Sequence, residues 1–153
     1  MKKYVIDTNL YVRAFRNESD AAELERFYAG FAPATYLSSV VAHEVLVGAR
    51  SERKRREVEK AMARPFRRTK RVITPSHGAW EESGKGLARL AQAEGLDLRR
   101  VPKSFVNDML LAASCRESGT VLVTDNAADF RRIGRYIAFE FIEAWPMAAQ
   151  RKP

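Results

Sequence analysis

Two short, continuously apolar runs constrain this chain more than any other feature. Tyr4-Val5-Ile6 ends in Asp7, and Thr120-Val121-Leu122-Val123 ends in Thr124-Asp125. Neither run alternates apolar with polar residues. A strand that is apolar at successive positions is buried on both faces, which is the condition of a parallel sheet covered by helices. The segments between and around them support this. Tyr36-Leu37-Ser38, Arg71-Val72-Ile73-Thr74 and Phe139 to Ile142 read as further strands. Helices are expected from Ser19-Asp20 to about Gly30, from about Val40 to Ala49, and from Ser51 to Ala63 with a break near Pro65. Others are expected from Pro75-Ser76 to about Glu94, stopped by Gly95, from Phe105 to Glu117, stopped by Gly119, and from Ala128 to Ile133. Asp7-Thr8-Asn9 reads as a polar turn. Strands alternating with helices make the fold class α/β, with a central parallel sheet of about five strands and helices on both faces. One domain over residues 1–146 and a short, basic tail at 147–153 are expected.

The two strand runs also place chemistry. In open α/β sheets, ligands bind beyond the carboxyl ends of the strands. Asp7 and Asp125 stand there, and two carboxylates brought together need a cation or a shared proton. A hard divalent cation with oxygen ligands meets that need most simply. Zinc spacing is absent: the chain has two histidines and one cysteine. Two more acids, Glu44 and Asp108, lie within apolar helical stretches, Val40–Val47 and Phe105–Leu111. An acid in such a setting either faces solvent or serves a site. A lone Asp after a strand is equally a turn residue or helix cap, and Asp20 and Asp97 are read that way. Cys115, in an apolar helix with no paired His, reads as a buried small hydrophobe.

The 153 residues carry 27 Lys and Arg against 19 Asp and Glu, a net charge of +8. That balance favours polyanionic partners, nucleic acid first among them. The cations concentrate between residues 50 and 71. Arg53, Lys54, Arg55, Arg56, Arg67, Arg68, Lys70 and Arg71 either grip RNA phosphates or form a solvated helix face with Glu partners such as Glu52 and Glu57. No apolar stretch approaches the roughly 18 residues of a membrane span. Met1-Lys2-Lys3 leads straight into a strand instead of a signal peptide, so a cytoplasmic protein is expected.

Four motifs, in order, resemble those of PIN domains. They are Val5-Ile6-Asp7-Thr8-Asn9, Ser38-Ser39-Val40-Val41-Ala42-His43-Glu44-Val45, Asn107-Asp108-Met109-Leu110-Leu111-Ala112-Ala113 and Val123-Thr124-Asp125-Asn126-Ala127-Ala128-Asp129-Phe130. Each motif is weak alone, and all four in sequence are fairly specific. Within that family the chain is most similar to VapC-type toxins of toxin–antitoxin modules. The resemblance implies a Mg²⁺- or Mn²⁺-dependent endoribonuclease, a homodimer, and a cognate antitoxin whose C-terminal segment covers the active site. It implies that Asp7, Asp108 and Asp125 ligate the metal and that Glu44 completes the acidic pocket. Thr8, Asn9, Thr124 and Asn126 would orient these carboxylates or a water. Asp129 would be a further ligand or a helix cap, the cap slightly ahead.

Two other classes compete. A phosphoacceptor or phosphatase-like domain also places acids at strand ends, but here the first strand is followed by one acid and no Asp-x-Asp, and no strand-end Lys follows. A catalytically silent RNA- or protein-binding module would have no need of four acids. An RNA-processing nuclease outside a toxin–antitoxin module shares the chemistry.

Overall fold

The computed structural model describes residues 1–146; the tail expected at 147–153 lies outside the described residues. Five strands form one parallel sheet in the order β3-β2-β1-β4-β5. They are β1 (Lys3–Ile6), β2 (Thr35–Ser38), β3 (Val72–Ile73), β4 (Thr120–Thr124) and β5 (Glu140–Glu143). The two runs singled out from sequence are neighbours, with Val5 beside Leu122 and Ile6 beside Val123. All four side chains are essentially sealed from solvent. Burying an aliphatic side chain this fully is worth about 1.5–3 kcal/mol, so these strands anchor the core.

The chain leaves β1 outward to β2 and β3, then returns to lay β4 on the other side of β1 and continue to β5. Right-handed crossovers in opposite directions put helices on both faces. The reversal lies between β1 and β4, and that makes their carboxyl ends the topological switch point.

The helices are α1 (Thr8–Arg16), α2 (Glu18–Phe31), α3 (Ser39–Gly48), α4 (Glu52–Val58), α5 (Arg64–Arg68), α6 (His77–Glu94), α7 (Lys103–Ser118) and α8 (Ala127–Ile133). Helix α1 corrects the expected polar turn at Asp7-Thr8-Asn9. Asp7 is extended and its carboxylate accepts from the Thr8 backbone N–H, so the strand-end acid is also a helix N-cap. Arg13 and Arg16 in the last turn suit the helix dipole. Asn17, one residue past α1, then caps α2.

The expected break near Pro65 is also corrected. The helical path runs on to Arg68 through a π turn at Glu59–Ala63, in which the Arg64 N–H bonds to the Glu59 carbonyl. The wider turn opens the backbone, and Pro65 falls in the first turn of α5, where no intrahelical N–H bond is required. Val58, Met62, Ala63 and Phe66 stay buried along this path. Helix α7 is buried from Asp108 through Cys115 and packs on β4 and α6. Gly95 and Gly119 end α6 and α7 in the left-handed conformation. No helix of the described residues is long and apolar enough to cross a membrane.

Candidate active site

Four acids from four separate stretches meet at the switch point. Asp7 follows β1 and is 3 % exposed. Asp108 enters from the buried side of α7, Glu44 from the middle of α3, and Asp125 follows β4. Each fold element brings one carboxylate to the same edge of the sheet. Asp129, near the start of α8, lies close enough to act on Asp108.

The electrostatics carry the mark of crowding. Asp108 is pushed up to about 8, first by burial and then by the negative charges of Asp7, Glu44 and Asp129. Asp7 is pushed up to about 6, chiefly by burial, against hydrogen bonds that pull the other way. Like charges in a low-dielectric pocket disfavour ionisation in this manner.

Hydrogen bonds hold most of the acids. Asp7 accepts from the Thr8 N–H at 2.8 Å on one oxygen and from the Thr124 hydroxyl at 2.7 Å on the other. Thr8 Oγ1 donates to Glu44 Oε1 at 3.0 Å, tying α1 to α3. The Asn126 N–H donates to the Thr124 hydroxyl at 2.9 Å, and its amide Nδ2 donates to Asp129 Oδ2 at 3.0 Å. Thr8, Thr124 and Asn126 thus stand where carboxylates need orienting. Asn9 is exposed and enters none of these bonds among the described residues. Asp108 has no hydrogen bond that would lower its pKa.

The donor set fits a hard divalent cation. Every donor is a carboxylate oxygen, the preferred partner of Mg²⁺ and Mn²⁺, and a cation would offset the burial and the lesser repulsion that raise Asp7 and Asp108. Among the described residues no group of three or more acidic, His or Cys side chains stands close enough together to hold a metal ion as it is.

One site residue escaped the sequence reading. Arg13 of α1 forms an ion pair with Asp125. The signal was present only once α1 is recognised, because Arg13 then lies in the last turn of a helix that starts at the strand end.

The basic segment divides. Arg53 pairs with Glu57, and Arg55 and Arg56 pair with Glu52, at 2.9 to 3.4 Å. Arg71 is held inward: it donates to the carbonyls of Ala32 and Thr35 and lies over the Phe66 ring. Arg67, Arg68 and Lys70 have no acidic partner among the described residues, and Arg68 joins Lys60 and Arg64 around a depression of about 530 Å³. His43 and His77 are exposed. Burial pushes the Cys115 thiol up to about 12, which leaves it inert.

Comparison with curated protein sequences returned no match. Solved structures do match in fold. The chain resembles a DNA-bound VapBC from Salmonella typhimurium with a TM-score of 0.70 and 20 % identity, over 94 % of this chain and 98 % of that one. It resembles VapBC2 from Rickettsia felis, bound to a promoter DNA fragment, with a TM-score of 0.60 and 25 % identity, over 94 % and 98 %. A toxin–antitoxin complex from Klebsiella pneumoniae matches with a TM-score of 0.56 and 21 % identity, over 84 % and 90 %. The profile of the PIN domain matches residues 4–136. With that match spanning most of the sequence, the chain belongs to the PIN domain family.

Proposed function

We propose that this protein is a Mg²⁺- or Mn²⁺-dependent endoribonuclease and the toxin of a toxin–antitoxin pair. The observation that carries the proposal is the meeting of Asp7, Glu44, Asp108 and Asp125 at the switch point, with Asp7 raised by burial and then by Glu44 and Asp125, and Asp108 raised by burial and then by Asp7, Glu44 and Asp129. Such a cluster is costly without a cation and suited to one. PIN family membership supports the nuclease class.

In this reading Asp7, Asp108 and Asp125 hold the ion and Glu44 completes the pocket. When bound, a divalent ion lowers the pKa of a water and offsets charge on phosphoryl oxygens. The chain's own residues set the geometry. Thr124 and the Thr8 N–H fix both oxygens of Asp7, so its orientation does not depend on the ion. Thr8 aims Glu44, and Asn126 aims Asp129. Water attacks an RNA phosphodiester and leaves a 3′-hydroxyl and a 5′-phosphate. Arg67, Arg68 and Lys70, which have no acidic partner among the described residues, are the cations of the basic segment left to contact RNA phosphates, at the amino ends of the strands and away from the acids.

The toxin assignment draws on the structural relatives, which are VapBC and other toxin–antitoxin complexes. A cavity of about 560 Å³ between α1, α3 and α4 fits a partner segment. Val12, Phe15, Val45 and Val58 line it with apolar surface, and Arg16, Arg50 and Lys54, with Glu57 among them, give it a mainly basic rim. An acidic, amphipathic antitoxin segment would seat there, beside the helix that carries Glu44. The resemblance to VapC-type toxins adds a homodimer and a cytoplasmic location to the reading.

The deciding experiment follows cleavage of a fluorescent single-stranded RNA with Mn²⁺ titrated from zero. Wild type should require the ion, and Asp7→Asn should lose at least about 100-fold in rate, the scale of removing metal-dependent charge stabilisation. Cleavage that survives EDTA or the Asp7→Asn change would sink the proposal.

A further inference from the structure

Among the described residues, Arg13 is the only cation ion-paired with one of the clustered acids. Side chains on a helix lean toward its N-terminus. Arg13, late in α1, therefore reaches back over the strand ends to Asp125. Its side chain remains 53 % exposed while that of Asp125 is 20 % exposed. The pair sits on the open rim of the cluster, where an ion pair adds little to stability. Asp125 is its only ionic partner among the described residues. The guanidinium fork matches a phosphate as well as a carboxylate.

We propose that Arg13 is an exchangeable cation of the active site. It holds Asp125 when no divalent ion is bound, and it turns to a phosphate of the RNA once the ion takes Asp125. The proposal rests on the metal-dependent ribonuclease reading and adds a substrate contact to it. It has two consequences of opposite sign. Arg13 competes with the ion for Asp125 and repels it, so removing Arg13 tightens ion binding. Arg13 also grips substrate, so removing it weakens RNA binding. A residue that merely props up the fold would not produce that split.

The test compares wild type, Arg13→Gln and Arg13→Lys. Mn²⁺ alone is titrated without RNA, with free ion followed by electron paramagnetic resonance. Binding of a fluorescein-labelled single-stranded RNA is then measured by anisotropy, with Ca²⁺ in place of Mn²⁺, across a range of salt. Arg13→Gln should bind Mn²⁺ about 3- to 10-fold more tightly, as expected from losing one nearby positive charge. It should bind RNA several-fold more weakly, with a salt slope smaller by about one. Arg13→Lys keeps the charge and loses the fork, so it should fall between on both counts. Mn²⁺ affinity that is unchanged or weaker in Arg13→Gln, or RNA affinity that is unchanged, would overturn the role of Arg13. Melting curves establish that each variant is folded, and Arg13→Lys carries the test if Arg13→Gln is not. Wild type that binds no Mn²⁺ would overturn the nuclease reading itself, a result distinct from wild-type binding with unaltered variants.

Discussion

Replacing Asp108 with Asn should stabilise the metal-free protein at and above neutral pH. The carboxyl is buried on α7, faces the charges of Asp7, Glu44 and Asp129, and has no hydrogen bond that would offset them. Its pKa in the folded protein is about 8, against an ordinary 3.8. The folded state therefore holds this proton more tightly than the unfolded chain does. Its stabilising effect is complete below about pH 3.8 and is lost as the pH rises through about 8. With no relaxation the loss would reach about 6 kcal/mol at high pH, at 1.36 kcal/mol per pH unit. Side-chain movement and water entry at the rim of the sheet take back more than half, which leaves on the order of 2 kcal/mol. Asn keeps the shape and removes the charge. Thermal melts in EDTA between pH 5 and pH 9 should show the wild-type midpoint falling with pH and that of Asp108→Asn staying nearly level. The two should differ by on the order of 5 °C at pH 8.5. Added Mn²⁺ should raise the wild-type midpoint and leave the variant unmoved. A variant no more stable than wild type at pH 8.5 would refute the reasoning, because the charged carboxyl would then not be penalised by its burial and by its acidic neighbours.

Three further outcomes are expected. Neutralising Arg67, Arg68 and Lys70 together should weaken RNA binding and lower the salt slope by about three, whereas neutralising Arg53, Arg55 and Arg56, which are paired with Glu52 and Glu57, should do less; equal losses in a salt titration would contradict this division. Gly86→Ala should destabilise by about 1–3 kcal/mol despite alanine's better helix propensity, because the added Cβ would lie 2.9 Å from Ile137 and 3.0 Å from Met109, both buried; urea denaturation that finds it stabilised would refute the clash. Leu122→Ala, at a fully buried position in β4, should cost about 2–5 kcal/mol by the same assay, and a cost below about 1 kcal/mol would mean that the strand is not central to the core.

The α/β class and the strand-end acids were legible because an apolar run is a local signal, and β1 and β4 need no distant residue to declare themselves. That Asp7 and Asp125 lie together follows from β1 and β4 being neighbours, a fact of topology that no window of sequence contains. Glu44 and Asp108 stood out through their apolar helical setting together with motif resemblance, since nothing local says where each faces. Helix α1 was missed because Asp-Thr-Asn favours turns and caps alike, and the cap won once Leu10 and Tyr11 found the core. Pro65 misled in the opposite direction: proline ends an α-helix, but a π turn lets the chain pass it. Arg13 could not be read without helix α1, and its partner is more than a hundred residues away.

The double position of Asp7 has a consequence for how this molecule tolerates change. One oxygen of Asp7 starts α1 and the other is held by β4, so the same carboxyl sets the register of a helix and faces the chemistry. Position 7 should therefore report two phenotypes that separate cleanly. An amide there keeps a competent cap and yields an inert but sound protein. An alanine there frays the helix as well, and with it the lines that Thr8 and Arg13 cast toward Glu44 and Asp125. At position 108, where the side chain caps nothing, amide and alanine should differ far less. The fold and the reaction share an atom group at one acid and merely share space at the other.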